Sequence, residues 1–168
     1  QLRITSLIGG SRLYHAIFEA YKRGVIVCGT SAGASAMSAT MIVEGDGNES
    51  PGGNIINMAP GLGLLEEVVV DQHFAQRGRI GRLLTVVASN PHVIGVGIDE
   101  DTAILVDPKA VFTVEGSGTV TVIDGRAIDY TNVSELMPGE PLALFNAKIH
   151  VLSPGTSFDL TSRRPIIS

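Results

Sequence analysis

The chain carries Gly29-Thr30-Ser31-Ala32-Gly33, a G-x-S-x-G run with an apolar stretch (residues 25–28) before it and an Ala-rich stretch (residues 31–41) after it. This is the pattern of a nucleophile elbow, where a strand turns sharply into a helix and lifts a serine oxygen above the sheet edge. The flanking glycines remove side chains that would clash in the turn. The N–H of Ala32 then points toward an oxyanion forming on an attacked carbonyl, aided by the positive helix start. The plain alternative for the same residues is a tight packing turn with no chemistry.

A serine hydroxyl needs a base, and four histidines are available. His15 falls in an early helical stretch, His92 in an "NPH" turn and His150 after the apolar "FNAKI". His73 differs, because "VVVDQHF" puts it just past a β-branched run, at the carboxyl end of a strand. That edge of an open α/β sheet is where sites are built, and the elbow serine belongs to the same edge. A third group should orient the imidazole. Glu44, Asp46 and Glu49 lie in the glycine-rich "VEGDGNESPGGN" between serine and histidine, and Asp71 lies two residues before His73.

Arg77, Arg79 and Arg82 open the helix that follows His73, interleaved with Gly78 and Gly81. Cations there oppose the helix dipole, and interior glycines cost about 1 kcal/mol each. A purely structural helix would begin with Asp or Ser. The combination points either to an anionic ligand held by guanidinium forks or to pairing with Asp71 and the acidic "IDED". In "GIDEDTA", Asp99, Glu100 and Asp101 reach another strand end; without a second acidic motif at metal-ligand spacing, no metal site is expected. Cys28 is expected to be a small buried hydrophobe.

These side chains need a scaffold. Leu13, Ile17 and Tyr21 recur at helical spacing; residues 25–28 read as a strand buried on both faces; residues 43–54 read as a loop. Residues 68–70 read as a strand, and Ile80, Leu83, Leu84 and Val87 form one apolar helix face. "VIGVGID", "TAILVD", "VFTVEG", "TVTVID" and "LALFNAKIHVL" follow as strands. The order predicts one α/β domain over residues 1–168, with a mostly parallel sheet flanked by helices and an antiparallel, β-rich C-terminal portion.

At 168 residues and 44% hydrophobic content, the chain is long enough to bury a real core. A net charge of −5 argues against a general nucleic-acid surface, and no stretch has the length of a membrane-spanning helix. One cysteine excludes an internal disulfide framework. The first residue is Gln rather than Met, so a clipped or partial chain is expected.

Taken together, "GTSAGA", "DQHF" with "RGRIGRL", and "GIDEDTA" resemble the cyanophycinases. These are serine-type exopeptidases related to aspartyl dipeptidase, on a class I glutamine amidotransferase-like scaffold. The resemblance spans nearly the whole chain, and the "DQHF" block with its arginines is its most specific part. It implies Ser31 as nucleophile, His73 as base, Glu49 as acid and the Ala32 N–H as oxyanion donor. It implies substrate contacts from Asp71, Gln72, Arg77, Arg79 and Arg82, and the charge pairing extends these to Asp99 and Glu100. Gln1 resembles the last residue of a Gly-Gly-Asp-Gln motif, so an N-terminal portion of the catalytic domain is expected to be missing, or supplied as a separate polypeptide. The implied substrate is cyanophycin, a poly-aspartate with arginine on each β-carboxyl, released as β-Asp-Arg dipeptides without metal or organic cofactor. A homodimer is implied, cytoplasmic or secreted. An aspartyl dipeptidase-like peptidase, an amidotransferase-like hydrolase using Cys28, and a non-catalytic polymer-binding homologue are the competing readings.

Overall fold

The structure is a computed structural model that describes residues 1–44, 51–52 and 56–166, Glu44 by its backbone alone. Two helices lead, α1 (Leu2–Ile8) and α2 (Arg12–Lys22), followed by the short α3 (Ala32–Ala36). Then come β1 (Thr40–Glu44), β2 (Asn57–Pro60), β3 (Val68–Gln72), α4 (Ile80–Ser89), β4 (Ile94–Ile98), β5 (Thr102–Val106), β6 (Val111–Gly116) and β7 (Val120–Asp124). The chain ends in β8 (Tyr130–Thr131), β9 (Leu144–Phe145), β10 (Lys148–Leu152), β11 (Ser157–Asp159) and β12 (Arg164–Ile166).

Two four-stranded sheets dominate, ordered β10-β7-β4-β3 and β12-β11-β6-β5, with β1-β2 and β8-β9 as separate pairs. The class is mixed α/β, as the alternation of patterns suggests. The expectation of a mostly parallel sheet is corrected: among the described strands only β3 and β4 pair in parallel, and every other ladder is antiparallel. A short apolar run such as "VIGVGID" looks the same in either kind of sheet, which is why the pattern did not discriminate.

Alternation along the strands sorts the core into two layers. Val68 and Val70 of β3, Ile94, Val96 and Ile98 of β4, and Val120 and Val122 of β7 face the second sheet, which contributes Phe112, Val114 and Phe158. The Phe112 and Phe158 rings stack with centroids 5.6 Å apart. On the other face, Val69 and Ile123 pack against Leu83, Val86 and Val87 of α4. The glycines of β4 let this layer close: a Cβ on Gly95 would lie 2.9 Å from Leu83, and one on Gly97 would lie 2.4 Å from the Phe74 ring. The helix and the turn after His73 therefore sit directly on the strand.

Residues 25–28 depart from expectation. They form no strand, Ile26 is 86% exposed, and Cys28 is exposed rather than buried. β3 is the outer strand of its sheet in hydrogen-bonding order, and residues 25–28 do not pair with its open edge.

Candidate active site

The elbow forms as a turn leading directly into α3. A Cβ on Gly29 would fall 2.5 Å from the Gly33 carbonyl oxygen, so the first glycine has no room for a side chain. Ser31 adopts φ 51° and ψ −118°, a sparsely populated conformation for a residue with a Cβ. Serine at a helix start usually caps it with its own hydroxyl, yet the Ser31 side chain makes no capping bond. The hydroxyl is instead 3.0 Å from His73 Nε2, with Gln72 Oε1 at 3.5 Å. Helix α2 steadies the turn from behind: Tyr14 and Tyr21 donate their hydroxyls to the Leu62 and Leu64 carbonyls, and the Leu62 and Leu64 N–H groups bond the Ala36 and Met37 carbonyls.

His73 follows β3 directly and also has a left-handed backbone, φ 50°. Two strained residues meeting at one hydrogen bond cost of order 1–3 kcal/mol each, a pattern that clusters at functional sites. The register decides which further residues join His73 there. Gln72 pairs with Ile98 in the parallel β3–β4 ladder, and Ile98 pairs with Val120 of β7. The residues just past Gln72, just past Ile98 and just before Val120 thus share one sheet edge.

At that edge Glu100 Oε1 lies 2.8 Å from His73 Nδ1. The family resemblance implied Glu49 for this place, the sequence alone having left Glu44, Asp46, Glu49 and Asp71 open, and Glu100 was expected at the substrate. Glu49 and Asp46 lie outside the described residues, and the acid that the described residues bring to the imidazole is Glu100. The sequence signal was present in "GIDEDTA", at a strand end beside that of His73, and was assigned to the ligand. With a carboxylate on Nδ1 and a hydroxyl on Nε2, the imidazole is arranged to donate to the acid and to accept from the serine.

Asp71 stands elsewhere. It is 1% exposed, on the face of β3 that meets α4. Arg82 reaches it through Nε at 2.6 Å and through a terminal nitrogen, and Arg79 reaches it at 3.3 Å. Asp71 is committed to the protein's own arginines, where a substrate contact was expected. Arg79 also donates to the Gln72 carbonyl. Burial holds the Arg79 guanidinium below its ordinary value; Asp71 opposes this, while Arg82 and Arg77 add to it. Arg77 is exposed and has no carboxylate partner among the described residues.

Asp99, the other acid expected at the ligand, has both oxygens taken by internal donors: Ala75 N–H at 3.0 Å on one, and the Thr119 N–H and hydroxyl at 3.0 and 2.8 Å on the other. Gln1 donates its side-chain amide to the Ile42 carbonyl. Ala32 opens α3, and no acceptor among the described residues takes its N–H. The other histidines stand on other elements, His15 on α2, His92 in the turn before β4 and His150 on β10. No group of three or more His, Cys, Asp and Glu among the described residues is arranged to hold a metal ion. No helix among them is long and apolar enough to cross a membrane.

Comparison with known proteins identifies the family. The model of Peptidase family S51 matches residues 1–114. The cyanophycinase of Geminocystis herdmanii is 41% identical over 167 residues, 99% of this chain and 61% of that protein. That of Synechococcus elongatus is 38% identical over 165 residues, 98% of this chain and 51% of that protein. That of Trichormus variabilis is 39% identical over 164 residues, 97% of this chain and 55% of that protein. The chain therefore spans between about half and three fifths of the length of these curated relatives. With the family model covering more than half of its residues, the chain belongs to peptidase family S51.

Proposed function

We propose that this chain carries the catalytic machinery of a serine exopeptidase that hydrolyses cyanophycin to β-Asp-Arg dipeptides. The observation that carries the reading is the continuous relay Ser31 Oγ–His73 Nε2–His73 Nδ1–Glu100 Oε1, at 3.0 and 2.8 Å. Family membership supports peptide-bond hydrolysis, and the relatives named cyanophycinase support the substrate.

In this reading Ser31 Oγ attacks a backbone Asp–Asp carbonyl while His73 Nε2 takes its proton. Glu100 accepts from Nδ1–H and stabilises the imidazolium that forms. The Ala32 N–H faces the developing oxyanion. His73 then returns the proton to the leaving amine, and water, activated by the same imidazole, hydrolyses the acyl ester and frees Ser31. Arg77 is the exposed cation available to a substrate carboxylate, while Asp71 holds Arg79 and Arg82 at the base of the same turn.

The test is release of β-Asp-Arg from purified cyanophycin by the protein and by Ser31→Ala. Loss of turnover on the order of 10⁴–10⁶-fold is expected. A Ser31→Ala protein that still degrades the polymer contradicts the mechanism, and faster hydrolysis of Asp-X dipeptides than of polymer contradicts the substrate.

We also propose that residues 25–28 belong to a more extensive, amidotransferase-like parallel sheet. Val25 and Ile26 are adjacent, apolar and exposed, and β3 ends its sheet with an edge that a further strand can pair; both support this. Amide exchange at residues 25–28 should be slower in a longer form of the protein than in this chain alone; equal rates count against it.

A further inference from the structure

Glu100 is the acid of the relay, but more than half of its side chain is exposed, and its backbone sits in a turn between β4 and β5. Something must hold that turn against the turn carrying His73. Two crossing bonds do so. Asp99 Oδ1 accepts from the Ala75 N–H at 3.0 Å, and Gln76 Oε1 accepts from the Glu100 N–H at 3.1 Å. Each runs from one turn to the other, in opposite directions.

The second carboxylate oxygen of Asp99 extends the hold to a third segment, through the N–H and hydroxyl of Thr119 just before β7. The Asp99 N–H donates to the Thr119 carbonyl at 3.2 Å, closing a ring. Around it, Ser117 donates to Asp101 Oδ2 at 2.6 Å, and the Gly118 N–H donates to Thr102 Oγ1 at 3.0 Å. A Cβ on Gly118 would lie 2.8 Å from the Asp99 Cβ, so this segment packs directly on the acid-bearing turn. Three segments that only the β3–β4–β7 register brings together are thus tied through one carboxylate.

We propose that Asp99 is a positioning residue: its carboxylate clasps the His73 turn, the Glu100 turn and the Thr119 segment, and thereby fixes the imidazole between Glu100 and Ser31. This rests on the serine-peptidase reading above. Asp99 acts through His73 and touches no reacting atom, so its loss should lower turnover without weakening substrate binding.

The test is Asp99→Asn in the intact protein. Asparagine keeps the size but offers one acceptor oxygen and an amide that only donates, so one of the two neighbouring segments meets a donor with its own donor. We expect kcat on cyanophycin to fall on the order of 100-fold, with KM within about twofold. Labelling of Ser31 by a fluorophosphonate, which requires no peptide substrate, should slow in parallel. The low-field imidazole N–H resonance of His73 should be lost. Thr119→Val removes only the hydroxyl donor and should show a smaller loss of the same kind; it serves if Asp99→Asn does not fold.

Asp107→Ala is the structural control. Asp107 caps the turn between β5 and β6 by accepting from the Lys109 and Val111 N–H groups at 2.8 and 2.9 Å. It should change thermal stability while leaving kcat and labelling unchanged. Wild-type kcat and labelling in both clasp variants would overturn the inference, as would a raised KM with unchanged labelling, which makes Asp99 a substrate contact. A wild-type protein that labels at Ser31 but leaves cyanophycin intact contradicts the substrate reading alone, and the labelling comparison then decides the clasp. A wild-type protein in which Ser31 does not label overturns both.

Discussion

Arg82 grips Asp71 through two nitrogens, Nε to one carboxylate oxygen and a terminal nitrogen to the other, while Arg79 shares the second oxygen. One buried carboxylate therefore organises two guanidiniums between β3 and α4. Asparagine in its place would remove the carboxylate charge that both guanidiniums share. Asp71→Asn should lose about 3–5 kcal/mol of stability in urea unfolding. By contrast Arg77→Ala, at an exposed position, should stay within about 0.5 kcal/mol of wild type. If Arg77 binds the substrate's carboxylates, that variant should show its effect in KM. An Asp71→Asn protein as stable as wild type would show that the arginines find other anions.

The two glycines of the elbow are not equivalent. Gly29 faces the Gly33 carbonyl with no space for a Cβ, whereas a Cβ on Gly33 meets nothing within 4 Å. Gly33 also lies inside α3. Gly33→Ala should stabilise the fold by about 0.5–1 kcal/mol through helix propensity, and Gly29→Ala should destabilise it. Thermal unfolding of the two variants checks this; equal destabilisation would mean that Gly33 is also sterically required.

Arg163, in the turn between β11 and β12, ties the second sheet to the first. It donates to Asp124 at 2.8 Å, both side chains being about 95% buried, and also to the His92 carbonyl. Burial alone would raise the Asp124 carboxyl; hydrogen bonds from Arg163 and the Arg126 N–H, with the charges of both arginines, hold it below its ordinary 3.8. A depressed carboxyl stabilises the folded state fully above its unfolded value and loses that contribution as pH falls through the folded one. Wild-type stability from this pair should therefore persist down to about pH 4 and decline below it. Arg163→Met leaves a buried carboxylate short of its main partner and should cost about 3 kcal/mol at pH 7. Most of that loss should vanish under acid conditions where Asp124 is protonated, as pH-dependent unfolding curves would reveal. A loss independent of pH would assign the role of Arg163 to packing alone.

Helix α4, several strands and two of the site residues were legible in the sequence for identifiable reasons. Ser31 stood out because the elbow motif is local, and His73 because a β-branched run ends just before it. Helix α4 was readable because its apolar face repeats every three or four residues. What could not be read was anything set by pairing between distant strands. The partner of His73 is decided by the Gln72–Ile98 register, which places residue 100 beside residue 73. Asp71 and His73, two apart, would share a face on a regular strand; the strand ends at Gln72 and the left-handed backbone at His73 breaks the alternation. Asp71 consequently meets α4 while His73 meets Ser31. The arginine ladder likewise admitted two readings, and Arg79 and Arg82 take the internal one with Asp71.

The role of Glu100 is the central claim, since the His73–Glu100 contact turns a serine and a histidine into a relay. The direct measurement is kcat on cyanophycin for Glu100→Gln beside Glu49→Gln, with folding verified for each. Glu100→Gln should lose activity by about 10⁴-fold, the scale seen when a relay acid is replaced by its amide, and Glu49→Gln should lose far less. Near wild-type turnover in Glu100→Gln, with activity abolished in Glu49→Gln, would contradict the account.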